Sequence, residues 1–156
     1  MKLLVVLGSG GLTAQMLRLV ELLGDGNEYE FVINDNDLLS ANKAKGKIYK
    51  LKNNRIYGES KLVHVCKTIV DFVKSFKIVR DSKANAVVSA GSGITFPLFI
   101  AAKLLGKKTV FVTTWCSVNQ PSMASRMCYW FSDLFFVQWP ELKAYYPKAI
   151  YAGRLA

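Results

Sequence analysis

Two short glycine clusters carry the residues best suited to chemistry. Gly8-Ser9-Gly10-Gly11 follows the apolar run 3–7 and opens onto Leu12, Met16, Leu19, Val20 and Leu23, which recur at helical spacing. Gly91-Ser92-Gly93 follows the expected central buried strand 84–90 and leads into a second apolar helix stopped by Gly106. A buried strand, a glycine turn and a helix start together offer free backbone N–H groups and the positive end of a helix dipole to an anion. A tight reversal alone would also explain the glycines, and the spacing is neither a Walker loop nor a full dinucleotide fingerprint. Two such turns at the carboxyl ends of parallel strands share one edge of a doubly wound sheet, which points to a phosphorylated or sugar ligand. A third polar cluster, Asn34-Asp35-Asn36-Asp37, falls where the strand 29–33 ends. It either faces a ligand or caps a short helix over 40–44, with Asp37 as the N-cap.

The elements that must position these groups alternate along the chain. Strands are expected at 2–7, 29–33, 47–51, 84–90, 108–114, 134–137 and 149–151. Helices are expected at 12–23, 40–44, 97–105, 123–131 and 140–145, with a long one capped by Ser60. The long helix carries Leu62, Val63, Cys66, Ile69, Val70, Val73, Phe76 and Ile78 as a core stripe, and Met123, Met127, Trp130 and Phe131 fall near one face of their helix. This order specifies an α/β domain over 1–156: a Rossmann-like, open, mostly parallel sheet with helices on both faces.

The formal net charge is +10, densest at Lys43, Lys45, Lys47, Lys50, Lys52, Arg55 and Lys61. Such a patch attracts polyanions, whether nucleic acid or an anionic membrane surface, or simply keeps an apolar protein in solution. Single-stranded nucleic acid calls for interleaved aromatics, and only Tyr49 and Tyr57 qualify. No apolar run reaches the roughly 18 residues of a membrane span, and the N-terminus does not read as a signal peptide. The chain therefore reads as cytosolic. Cys66, Cys116 and Cys128 have no metal-ligand spacing and read as buried thiols, and His64 as a core imidazole.

The glycine turn Gly8-Ser9-Gly10-Gly11-x-Thr13-x-x-Met16 resembles the opening motif of a known family. That family is the acceptor-side, membrane-associated subunit of the two-chain UDP-GlcNAc transferase of asparagine-linked glycosylation, with its bacterial exopolysaccharide counterparts. The likeness continues in order through Asp35-x-Asp37-x-x-Ser40-x-x-Lys43, Arg55-x-x-Gly58-x-Ser60, Gly91-Ser92-Gly93 with Pro97 and 101–105, 133–142, and the tail Tyr146-Pro147 to Gly153-Arg154-Leu155.

The resemblance implies the N-terminal half of an inverting GT-B glycosyltransferase on its own chain, inactive alone, with no metal or cofactor. Such a subunit sits peripherally on the cytoplasmic side of a membrane: the plasma membrane in a prokaryote, the endoplasmic reticulum in a eukaryote. It holds a polyprenyl- or dolichyl-diphosphate-linked sugar and recruits a catalytic chain that supplies UDP-GlcNAc; nucleic acid is not a partner. Ser9, Gly10, Gly11, Thr13, Gly91, Ser92 and Gly93 would hold the acceptor, Lys43 and Arg55 would add charge, and Trp139, Tyr145 and Arg154 would lie toward the partner. Phe96, Leu98, Trp115 and Trp130 are the apolar candidates for membrane contact, and packing in the core would equally account for the aromatic ones. The chain departs from the family at Leu12, where a histidine is usual, and at Thr113 and Ser117, where a glutamate and an arginine are usual. Asp35, Asp37 and Glu141 are then the candidates for acid–base work, unless the chain only positions. The rival reading is a stand-alone Rossmann-type nucleotide-binding enzyme with Asp35 on a ribose.

Overall fold

The computed structural model describes the backbone of residues 1–52 and 61–155, and the side chains of these except 38 and 61–68. Among the described residues, seven parallel strands form one sheet: β1 (Lys2–Val6), β2 (Glu28–Asn34), β3 (Lys47–Leu51), β4 (Ala86–Ser89), β5 (Lys108–Val112), β6 (Leu134–Val137) and β7 (Ile150–Tyr151). Their order is β3-β2-β1-β4-β5-β6-β7. The expected mostly parallel sheet is thus parallel throughout. Helices α1 (Gly11–Leu23), α2 (Leu38–Lys43), α3 (Lys61–Ser82), α4 (Thr95–Leu104) and α5 (Met123–Tyr129), and a 3₁₀ turn at Pro140–Ala144, make the crossovers.

Alternation along the strands sorts the core into two layers. Leu4, Val6, Val32, Val87, Phe111 and Phe135 face α3, α4, α5 and the 3₁₀ turn. Leu3, Val5, Phe31, Ile33, Ala86 and Val88 face the other way, onto Met16 and its neighbours on α1 and Ala41 on α2. Right-handed crossovers dictate this division, because the chain moves outward from β1 to β3 and then, through α3, in the opposite direction from β4 to β7. The order reverses between β1 and β4. Val6 is paired with Ser89 there, so the two glycine turns, Gly8 and Gly91, begin in register on neighbouring strands. They leave the sheet about 4.8 Å apart at its carboxyl edge.

The structure corrects several expectations from periodicity. On α3, Val79 and Ser75 are buried and Phe72 and Phe76 pack on the core, but Ile69, Val70 and Val73 are exposed. The apolar positions cover more of the helix circumference than its neighbours can bury. On α5 the inward residues are Ser125 and Cys128, while Met123 and Trp130 are exposed. Small side chains there let the helix approach α4. Leu98 is fully buried and offers no free apolar surface, and Phe96 is partly buried, packed edge-on against Phe131 with ring centroids 5.6 Å apart. Cys128 is buried as expected, whereas Cys116 is exposed on the loop after β5. Arg55, Gly58 and Ser60, and the side chains of His64 and Cys66, lie outside the described residues.

Candidate functional site

Gly10 adopts φ 61°, ψ −119°, a combination open to glycine and costly for any residue with a Cβ, and this bend aims α1 back across the sheet. At the second turn Gly91 adopts φ 96°, and a Cβ there would lie 2.9 Å from the Phe111 ring. Between the turns lies a cleft of about 220 Å³, lined by Gly8, Ser9, Leu12, Asn34, Gly91, Ser92, Gly93 and Ile94, with Leu7 at its base. Among the described residues no lining side chain carries a charge, and what they offer an anion is backbone N–H groups within the overall field of the protein.

At α4 the Thr95 amide donates to the Ser92 carbonyl at 3.0 Å and Pro97 has no N–H, but neither helix start is closed by a side chain among the described residues. By contrast, Asp37 caps α2 and Ser122 caps α5. First-turn amides have no preceding carbonyl within their helix and need another acceptor. No acidic residue sits in the first turn of α1 or α4. Ser92 Oγ, buried in the cleft wall, has no hydrogen-bond partner among the described residues.

Buried hydroxyls hold the turns rigid. Thr13 Oγ1 donates to the Gly8 carbonyl and lies 2.6 Å from Ser40 Oγ. Ser40 donates to Asp37 at 2.6 Å, and its amide bonds the same carboxylate at 3.1 Å. The other turn repeats the device: Ser89 Oγ lies 2.6 Å from Thr95 Oγ1 and accepts from the Gly91 amide at 3.1 Å. Each strand end is thereby fastened to the helix that follows it.

Asp37 is held below the usual carboxylate range by the Ser40 hydroxyl first, with the Ser40 amide, Ser9 and the Leu39 amide adding to this against the opposing effect of burial. The sign follows: its stabilising contribution is complete above the unfolded value near 3.8 and is lost as pH falls through the lower native value. Asp37→Ala should lower the unfolding free energy by about 1–2 kcal/mol near neutrality. Melting curves of parent and variant should converge below the native titration, and curves that stay parallel down to that pH would refute this role.

The other predicted site residues divide. Thr13 is buried and holds the first turn, and Gly10 and Gly11 shape it. Asp35 is exposed at the end of β2, Lys43 is exposed in the last turn of α2, and Glu141 is exposed in the 3₁₀ turn. None of these three lines the cleft. Thr113, where the family glutamate was expected, is buried, and its carbonyl accepts from Gln15 Nε2 at 3.0 Å and Gln138 Nε2 at 2.6 Å. Gln15 also accepts from the Trp115 amide and Gln138 from the Leu155 amide, so two buried glutamines tie α1, the loop after β5 and the C-terminal tail together. The sequence reading passed over both, although a glutamine beside Met16 in a buried stripe was a usable signal.

Trp115 lies against Gly11, with Nε1 3.6 Å from the position of an added Cβ. The Trp115 carbonyl accepts from Trp139 Nε1 at 2.7 Å, and the Arg154 guanidinium sits 4.3 Å over the Trp139 ring. The first glycine turn is thus physically continuous with the C-terminal tail. Tyr145 stands elsewhere, beside Trp130 in a separate aromatic cleft. Next to Arg154 and Leu155, the sheet face opposite α4 and α5 is an open apolar trough of about 350 Å³, whose floor includes Val88, Val110, Val112 and Phe136.

Comparison with known proteins agrees with this architecture. A family model described as "Oligosaccharide biosynthesis protein Alg14 like" matches residues 3–155. The UDP-N-acetylglucosamine transferase subunit ALG14 of Homo sapiens is 34% identical, covering 99% of this chain and 83% of its own length. The protein of that name from Yarrowia lipolytica is 32% identical, covering 99% and 81%. Among solved structures, MurG of Acinetobacter baumannii superposes with a TM-score of 0.76 at 14% identity, over 98% of this chain and 44% of MurG. The chain therefore spans under half of that protein, and the likeness is one of fold: the Rossmann-like N-terminal domain of GT-B enzymes.

Proposed function

The chain belongs to the Alg14 family, and from that premise we propose that it is the acceptor-holding subunit of a UDP-N-acetylglucosamine transferase. On this reading a lipid-linked diphosphate sugar sits with its diphosphate between the two glycine turns. First-turn amides of α1, the Phe96 amide of α4 and the Ser92 hydroxyl donate to the phosphate oxygens. The observation that carries the reading is the meeting, in one cleft, of two helix starts that no side chain caps. A stand-alone dinucleotide enzyme is not favoured, because Asp35 stands outside the cleft.

The chain contributes position and electrostatics. Among the described residues no acid or base lines the cleft, and on this reading the partner supplies the UDP-sugar and the proton acceptor. The partner is proposed to seat on the open apolar trough and on the Trp139–Arg154 stack beside it, which brings its donor site over the same carboxyl edge. Among the described residues no helix is long and apolar enough to cross a membrane, and the proposed membrane contact is peripheral. The test is reconstitution with UDP-GlcNAc and a short polyprenyl-diphosphate sugar. Transfer should require both chains, and transfer by this chain alone would refute the assignment.

A further inference from the structure

Exposed apolar residues cluster on one stretch of α3: Ile69 is 56% exposed, Val70 47% and Val73 61%. Helical geometry places these three on the outward side, opposite Ser75 and Val79, which are fully buried against the sheet layer. Lys74 and Lys77, also exposed, follow on the same outward side over the next turn. The acids nearby do not cancel them: Asp81 pairs with Arg80 at 3.4 Å, and Asp71 is half-buried with a partner of its own.

The position of the patch is as informative as its composition. α3 ends near the amino edge of the sheet, where the Asn85 amide bonds the Lys2 carbonyl. Val70 stands about 18 Å along the helix axis from Ser82, while β1 is only about 16 Å long. The apolar patch is therefore level with the carboxyl edge that bears the glycine turns. Three aliphatic side chains with lysines alongside, on a chain of net charge +10, match the apolar and anionic character of a bilayer surface.

We propose that Ile69, Val70 and Val73 enter the headgroup–acyl boundary of an anionic membrane, with Lys74 and Lys77 on its phosphates. This rests on the acceptor reading and deepens it: contact there presents the cleft to a ligand whose lipid stays in the bilayer. The test uses the full chain and vesicles free of any lipid-linked sugar, rich in phosphatidylglycerol or made of phosphatidylcholine alone. The chain should co-sediment with the anionic vesicles. Ile69→Ser/Val70→Ser/Val73→Ser should weaken this about tenfold at an unchanged melting temperature. Lys74→Glu/Lys77→Glu should weaken binding to the anionic vesicles only. Parent-like sedimentation of the triple variant would overturn the proposal, as would a fall in its melting temperature, which would mean the patch is packed. Weakened binding to the catalytic partner with vesicle binding intact would assign the patch to protein, again overturning it. Because the vesicles carry no acceptor, failure here leaves the acceptor reading standing, while loss of transfer alone would count only against that reading.

Discussion

Gly91→Ala should lower the unfolding free energy by about 2–4 kcal/mol and transfer in the reconstituted complex by about 100-fold. Two costs combine. An L-residue is strained at φ 96°, and its Cβ would meet the Phe111 ring at 2.9 Å and Ala124 at 3.3 Å. The ring cannot yield easily, because it stacks on Phe135 at 4.9 Å and meets Phe99 edge-on at 6.1 Å. The backbone must move instead, taking the Ser92 hydroxyl and the first turn of α4 out of place. Gly8→Ala should behave alike, since its Cβ would fall 2.6 Å from Leu12 Cβ and push α1 outward. Gly24→Ala is the control. It has φ 67° but nothing within 4 Å, and it lies at the other end of α1. It should cost about 1 kcal/mol and leave transfer unchanged. Chemical denaturation and initial rates measured on all three separate strain from site geometry. Equal activity losses at Gly24 and Gly91 would mean that general destabilisation is responsible.

The alternation of elements was legible because parallel strands are buried on both faces and so appear as largely apolar runs, unbroken at 3–7 and interrupted only by Ser89 at 86–90. The glycine turns were legible for the same reason, since they end those runs. Their registry was not. It depends on β1 and β4 becoming neighbours through the long α3 crossover, a pairing of residues more than eighty positions apart. Periodicity also misplaced the α3 stripe, because spacing shows which residues share a face and not whether a neighbour covers it. Leu98 fails in the opposite sense, as an apolar residue assigned to the surface that the core requires. Among the site candidates, Asp37 was open between ligand and cap, and its bonds to Ser40 make it a cap that also braces Ser9. Trp139, Tyr145 and Arg154 were expected toward a partner chain; Trp139 and Arg154 stack on one another, and Tyr145 stands apart beside Trp130. The path from the stacked pair back to Gly11 through Trp115 needed coordinates, because each link crosses between separate loops.

The trough beside that stack yields the second large effect. Right-handed crossovers leave one face of β4, β5 and β6 without a helix of its own, and Val110 and Phe136 remain only partly buried there. A complete two-layer covering would bury them, so the most direct completion is the partner chain. Val110→Glu would put an unpaired carboxylate into that contact and should weaken association with the catalytic subunit about 100-fold, some 2.7 kcal/mol. Since Val110 packs at the rim of its layer, the variant should retain most of its melting temperature. Phe136→Ser provides an independent variant that truncates the contact without adding charge, with an expected loss of about tenfold. Titration calorimetry of each variant against the partner, beside transfer rates at saturating partner concentration, tests this directly. Rates should recover once the complex is forced to form, because neither residue lines the glycine cleft. Parent affinity in both variants would place the partner on another face and leave this half of the sheet unassigned.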